Sequence, residues 1–115
     1  MSPKIISRVF RLKGVEYYTK YLEVVNSLLP MDLSKIELSV LAHCLYRNNK
    51  GVIDKDVKVY LKEVFNFSPA SLSGHLKRLS DKFVLDKNED GFVIKDYLIP
   101  NSDFQGFQIK IENGE

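Results

Sequence analysis

The sequence predicts an α+β fold, mainly helical, and three observations carry that reading. Apolar residues recur at three- and four-residue steps in four segments between residues 15 and 82, the stripe of a helix with one buried face. Beyond residue 82 the period changes to two, around a polar turn that ends in glycine. The whole chain has 115 residues, 44% hydrophobic and 28% charged, which suits a single globular core and excludes disorder or a collagen-like repeat.

The first element is a strand within residues 5–12, where Ile6, Phe10 and Leu12 share a face with Arg8, and Ser7 and Arg11 lie on the other. Gly14 breaks it. A helix follows from Val15 to Leu29, with Val15, Tyr18, Leu22, Val25 and Leu29 inward and Tyr17, Tyr21, Val24 and Leu28 widening the stripe. Pro30 stops it. A helix apolar on most sides is either deep in a core or shared with a second subunit, so a homodimer is expected. The tyrosines at 17, 18 and 21 fit either packing or such an interface.

Ser34-Lys-Ile-Glu37 fits a capping box, with Leu33 and Leu38 at the spacing of a hydrophobic staple. Leu38, Leu41 and Leu45, helped by Val40 and Cys44, face inward until the pattern fades at Arg47-Asn-Asn-Lys-Gly51. Val52-Ile53 is a short extended piece. Asp54 caps a third helix with Val57, Leu61, Val64 and Phe65 inward. Asn66-Phe67 makes a tight connection to Ser68-Pro69, a cap followed by proline at the first helical position. Leu72, Leu76 and Leu79 carry this fourth helix to about Lys82. Phe83-Val-Leu85, the turn Asp86-Lys-Asn-Glu-Asp-Gly91 and Phe92-Val-Ile94 form a hairpin. Residues 100–106 read as loop. Phe107–Ile111 alternates like a closing strand, expected to pair with the N-terminal strand or to extend the hairpin sheet. The chain thus divides into 1–32 (strand and helix, a candidate dimerisation arm), 33–98, and 99–115 (loop and strand).

Residues 33–95 therefore run helix, short strand, helix, tight turn, helix, hairpin. Leu33–Leu41 and, above all, Phe67-Ser-Pro-Ala-Ser-Leu-Ser-Gly-His-Leu-Lys-Arg-Leu-Ser-Asp-Lys-Phe-Val-Leu85 carry the likeness. This order resembles the winged helix-turn-helix domain, in its MarR-like arrangement. The flanking segments are also similar to small winged-helix proteins of bacteria and their phages. The resemblance implies a two- to three-stranded antiparallel wing sheet, with a strand and helix preceding the domain. It also implies double-stranded DNA binding and transcription regulation through a recognition helix over 68–82.

The residues themselves give that helix a physical reading. With its leucines inward, the opposite side shows Ser68, Ser71, Ser73, Gly74, His75, Lys77 and Arg78. Small hydroxyl-bearing residues near a helix start permit close approach to a groove, and the amides there favour phosphate. Ser71, Ser73 and His75 fall near bases, while Lys77 and Arg78 suit backbone or, for Arg78, a bidentate guanine contact. The same residues also fit a merely solvated helix face. In the wing, Lys87, Asn88 and Gly91 are the candidate contacts, but three carboxylates surround the one ammonium, and each near a phosphate costs about 1 kcal/mol even in water. Helper cations are Lys4, Arg8, Arg11, Lys13, Arg47, Lys50, Lys55 and Lys58.

Charge divides along the chain. Residues 1–80 hold 13 Lys/Arg against 7 Asp/Glu, a surplus of +6, and residues 81–115 hold 4 against 8, or −4. A basic body with an acidic end can offer a polyanion one face and repel it from another. The acidic wing and small net charge equally support an alternative: a winged helix used as a protein-interaction module, in a replication complex or phage particle. No aromatic stacking platform is identifiable, so single-strand or RNA binding ranks last.

No nucleophile–base–acid spacing, glycine-rich phosphate loop or metal cluster occurs, so neither an enzyme nor a cofactor is expected. One cysteine and two histidines cannot build a four-ligand zinc module. Cys44 reads as a core thiol and His43 as an ordinary helix residue. A single cysteine, no apolar run near the roughly 18–20 residues of a membrane span, and an N-terminus broken by charge lead us to expect a cytoplasmic protein.

Overall fold

The computed structural model describes residues 4–7, 12–29, 31–89, 91–100 and 108–111. The fold is α+β and mainly helical. Among the described residues it comprises strand β1 (Lys4–Ser7), helices α1 (Val15–Leu28) and α2 (Lys35–Arg47), strand β2 (Val52–Ile53), helices α3 (Lys55–Phe65) and α4 (Pro69–Asp81), the hairpin β3 (Leu85–Asn88) and β4 (Gly91–Ile94), a 3-10 turn (Asp96–Leu98) and strand β5 (Gln108–Ile111). The hairpin and β2 form a three-stranded antiparallel sheet in the order β2-β4-β3. The terminal strands pair with each other, Lys4 opposite Ile111 and Ser7 opposite Gln108, rather than extending the hairpin sheet. Residues 8–11 of the expected first strand, Pro30, Asp90 and the expected loop at 101–106 lie outside the described residues, as does Phe107.

The helix starts follow the sequence signals. Glu37 N–H donates to Ser34 Oγ at 3.3 Å and Ser34 N–H donates to Glu37 Oε1 at 2.9 Å, completing the capping box. Leu33 and Leu38 are both buried beside it, as a staple requires. Asp54 and Ser68 cap α3 and α4 by accepting from the amides of Val57 and Ser71. Each such cap contributes about 1 kcal/mol. The core gathers one face of each helix: Leu22 and Val25 of α1, Leu41 and Leu45 of α2, Val57 and Leu61 of α3, and Leu72, Leu76 and Leu79 of α4. Val84, Ile94, Ile53 and Leu98 close it from the sheet side. Gly51 is buried with φ +79°, and an added Cβ would lie 2.8 Å from Ile99 Cδ1 and 3.0 Å from Ile94 Cβ. Only glycine lets the chain turn from α2 into β2 that tightly.

Two expected inward residues are outward, and a third residue ends a helix instead of opening a strand. Leu29 sits at the extended C-cap of α1, beyond the last helical turn, and is 44% exposed. Val64 is also exposed, because Phe65 takes the inward place in the last turn of α3 and stacks on Phe67. Phe83, read from sequence as the opening of the wing strand, instead ends α4. Its N–H donates to the Ser80 carbonyl and that of Val84 to the Leu79 carbonyl, with Val84 and Leu79 both fully buried. These are the two reversed bonds of a Schellman motif. They place Phe83 in the left-handed region at φ 64°, with its side chain 74% exposed.

One polar group ties these helices together. Lys82 Nζ donates to Glu37 Oε1 and to the Asp32 carbonyl, both at 2.7 Å. The Glu37 side chain is only 4% exposed, and its Oε2 has no hydrogen-bond partner among the described residues. Burial opposes ionisation, but hydrogen bonds from Lys82 and from Ser34 outweigh it and hold the carboxyl below its ordinary value. A carboxyl whose pKa is lowered by folding stabilises the fold above its unfolded pKa, and that contribution is lost as pH falls through the lower, folded value. We therefore expect denaturation midpoints to decline on acidification below the ordinary carboxylate range, with Glu37→Gln flattening the decline and costing about 1–3 kcal/mol near neutrality. A pH dependence identical in the variant would remove Glu37 as its source. Phe83→Gly, by contrast, relieves left-handed strain and is expected to stabilise the chain by about 0.5–1 kcal/mol in urea unfolding, net of the greater flexibility of unfolded glycine.

Candidate nucleic-acid interface

The outward side of α4 is where the sequence placed it. Ser68, Ser71, Ser73, Lys77 and Arg78 are exposed, while Gly74 and His75 are half-buried. Nothing among the described residues covers this face, and the only carboxylate on α4 is Asp81 in its last turn. Ser68 Oγ is already occupied as a cap acceptor, which leaves its O–H for a phosphate or a base.

His75 does not reach outward as an independent contact. Its ring stacks on Phe67 at a centroid distance of 4.6 Å, and Phe67 stacks on Phe65 at 5.1 Å. Phe65 meets His43 edge-on at 5.0 Å, and His43 Nδ1 lies 2.8 Å from the Tyr60 hydroxyl. An aromatic column thus runs from α2 across the α3–α4 turn to the recognition-helix candidate. At its end Arg78 Nη2 donates to His75 Nδ1 at 2.9 Å. Arginine has no acceptor, so the imidazole bonds as a neutral ring with its proton on Nε2. Gly74 lies beneath the same guanidinium: an added Cβ would be 3.5 Å from Arg78 Nη1. Gly74 and His75 therefore act as the floor and the tether that position Arg78. Phe67 was not among the sequence candidates; its signal was a second phenylalanine directly before the Ser-Pro helix start.

The wing candidates Lys87 and Asn88 are exposed on β3, opposite Phe92 and Gly91. Asp86 lies 3.6 Å from Lys95, so one of the hairpin's carboxylates is partly neutralised. Lys58 reaches this hairpin from α3: a Cβ at Gly91 would sit 2.9 Å from its Nζ. Three other helpers gather away from α4. Arg47 is held by Asp56 at 3.0 and 3.3 Å, and with Lys13 and Lys50 it lines a groove between the start of α1 and the end of α2. Arg8 and Arg11 lie outside the described residues. Cys44 is fully buried and its thiol is pushed up to about 12 by desolvation, which leaves it inert as a nucleophile. Among the described residues no three His, Cys, Asp or Glu side chains are grouped to hold a metal ion, and no helix is long and apolar enough to cross a membrane.

Compared with protein-family models, curated proteins and solved structures, the chain matches none.

Burial first, and the Arg78 charge second, lower the His75 pKa from its ordinary value. His75 therefore resists protonation in the fold, and its effect on stability is absent at high pH but becomes unfavourable as pH falls through the ordinary histidine range. In a proton NMR titration we expect His75 to titrate below a model histidine, Arg78→Ala to raise it, and His43, lowered by burial alone, to stay where it is. An unmoved His75 in Arg78→Ala would break the proposed tether.

Proposed function

We propose that the chain is a winged-helix protein that binds double-stranded DNA, with α4 entering the major groove, and that it serves as a transcriptional regulator. The observation that carries this reading is the uncovered face of α4: small hydroxyl side chains at its capped N-terminal half, then Lys77 and a positioned Arg78, above a fully buried leucine seam. The hydroxyls and amides of the first turns suit close contact with phosphate and base edges, and the two cations supply backbone attraction. The order α2, β2, α3, α4 and hairpin supports the winged-helix assignment, and Leu28 and Leu29, exposed at the end of α1, support association of two copies through the N-terminal arm.

A second reading, a protein-assembly module, is favoured by a separate feature. Phe83 and Tyr97 are 74% and 53% exposed at the base of the acidic hairpin, and large aromatics are frequent anchors of protein interfaces.

Fluorescence anisotropy with duplex DNA across a salt series separates the two. DNA binding through α4 gives a log–log slope of about −0.9 per phosphate contact, and Lys77→Ala with Arg78→Ala makes it shallower by roughly two contacts. Absent binding at low salt, or binding indifferent to the α4 changes, overturns the DNA reading. Recovery of a protein partner that survives those changes but is lost with Phe83→Ala or with charge reversal at Asp86 and Glu89 establishes the other.

A further inference from the structure

We propose that the groove between the N-terminal end of α1 and the C-terminal end of α2 binds a small phosphorylated ligand carrying a flat ring, of the nucleotide class. This inference does not rest on the DNA-binding reading, and the two can fail separately.

The groove has a volume of about 800 Å³ and is open to solvent. That size lies within the range of small-molecule sites. Its charge sets it apart. Lys13, Arg47 and Lys50 line it, and no carboxylate does among the described residues, although the whole chain carries 15 Asp and Glu against 17 Lys and Arg. The cations divide into two kinds. Arg47 is fixed, with Nε and Nη2 on Asp56 and its guanidinium carbon 5.4 Å from the Tyr60 ring centre, and that ion pair offsets much of its field. Lys13 and Lys50 are exposed and enter no ion pair among the described residues. They are the two groups able to swing onto a phosphate, an anion that lysine meets as a compact point charge.

The apolar lining is aromatic. Tyr46 is 51% exposed, and its ring lies against the backbone of Gly14, where an added Cβ would stand 3.4 Å from Cε1. Tyr17 and Tyr18, perpendicular to each other with ring centres 5.0 Å apart, also line the groove. An exposed ring beside two exposed ammonium groups matches the two ends of a nucleotide, a base that stacks and a phosphate that ion-pairs. Duplex DNA suits this groove less well, because its bases present no free faces to the tyrosines. The groove also lies at the opposite end of α2 from the Glu37–Lys82 tie, about 15 Å along the helix at 1.5 Å per residue.

The test is an NMR titration of the ¹⁵N-labelled full chain with AMP, with adenosine, with inorganic phosphate and with an oligothymidylate. The proposal expects saturable AMP-dependent shifts confined to the amides of residues 12–18 and 46–50, with adenosine and phosphate each about tenfold weaker or more, as loss of one charge cluster or one stacking contact implies. Lys13→Ala with Lys50→Ala should weaken AMP about tenfold while leaving the unfolding midpoint unchanged, and Tyr46→Ala should erase the advantage of AMP over phosphate. Absence of saturation at millimolar AMP, shifts elsewhere in the chain, or phosphate binding as well as AMP would each overturn the assignment. An oligothymidylate that binds far more tightly than AMP would overturn it too, in favour of a strand-binding surface.

Discussion

A single carboxylate oxygen fixes the geometry on which the rest of this molecule depends. Glu37 Oε1 accepts from the Ser34 amide and from the Lys82 ammonium, which in turn holds the Asp32 carbonyl. The preceding loop, the first turn of α2 and the C-terminal end of α4 meet at that point, and Asn26 of α1 clamps the same loop through both polar groups of Leu33. Burying a carboxylate whose second oxygen has no partner among the described residues is costly, and that cost offsets much of the attraction between the charges. The consequence is therefore chiefly geometric. With the C-terminal end of α4 pinned by Lys82 and its start capped by Ser68, the helix cannot roll, so Leu72, Leu76 and Leu79 stay inward and the serine, lysine and arginine side stays out.

Most of the helical organisation was legible because it depends on local chemistry. Ser34, Asp54 and Ser68 mark helix starts by side-chain capping that involves only the next three residues, and leucine spacing then decides which face is buried. The errors fall where local rules meet a boundary. Leu29 keeps the helical period in sequence but lies past the last turn. Phe83 looks like a strand residue by type, yet the reversed hydrogen bonds at the end of α4 claim it, and these are invisible without coordinates. The pairing of β1 with β5 joins residues about a hundred positions apart, so the sequence could offer it only as one of two partners.

The candidate site was legible as a set of residues, but not as an arrangement. The polar face of α4 follows directly from the positions of its leucines. That Arg78 is drawn back over Gly74 and tethered to His75, and that His75 is itself stacked on Phe67, depends on how the α3–α4 turn closes at Asn66, which adopts the left-handed conformation that asparagine tolerates. The helper cations show the opposite limit. Lys13 is far in sequence from Arg47 and Lys50, and all three looked like reinforcements for α4, yet they gather around three tyrosines in a groove of their own. An aromatic platform not apparent in the sequence forms when the ends of α1 and α2 come together.

Phe83 marks a second exposed surface, apart from the outward face of α4. A left-handed backbone costs a side-chain-bearing residue roughly 1–2 kcal/mol, and glycine fills the position after a helix without it. An exposed phenylalanine there gains little burial in exchange. Its carbonyl accepts from the Tyr97 hydroxyl at 3.2 Å, and Lys95 lies 5.9 Å from its ring centre, so the aromatic is held in place without being covered. Folding alone does not account for phenylalanine at this position; strain of this kind is retained where the surrounding structure imposes it for another end. It sits at the C-terminal end of α4, whereas a helix that enters a groove by its N-terminal half leaves that end clear. The DNA-facing and protein-facing readings therefore do not compete for the same atoms, and one copy of the chain has room to use both.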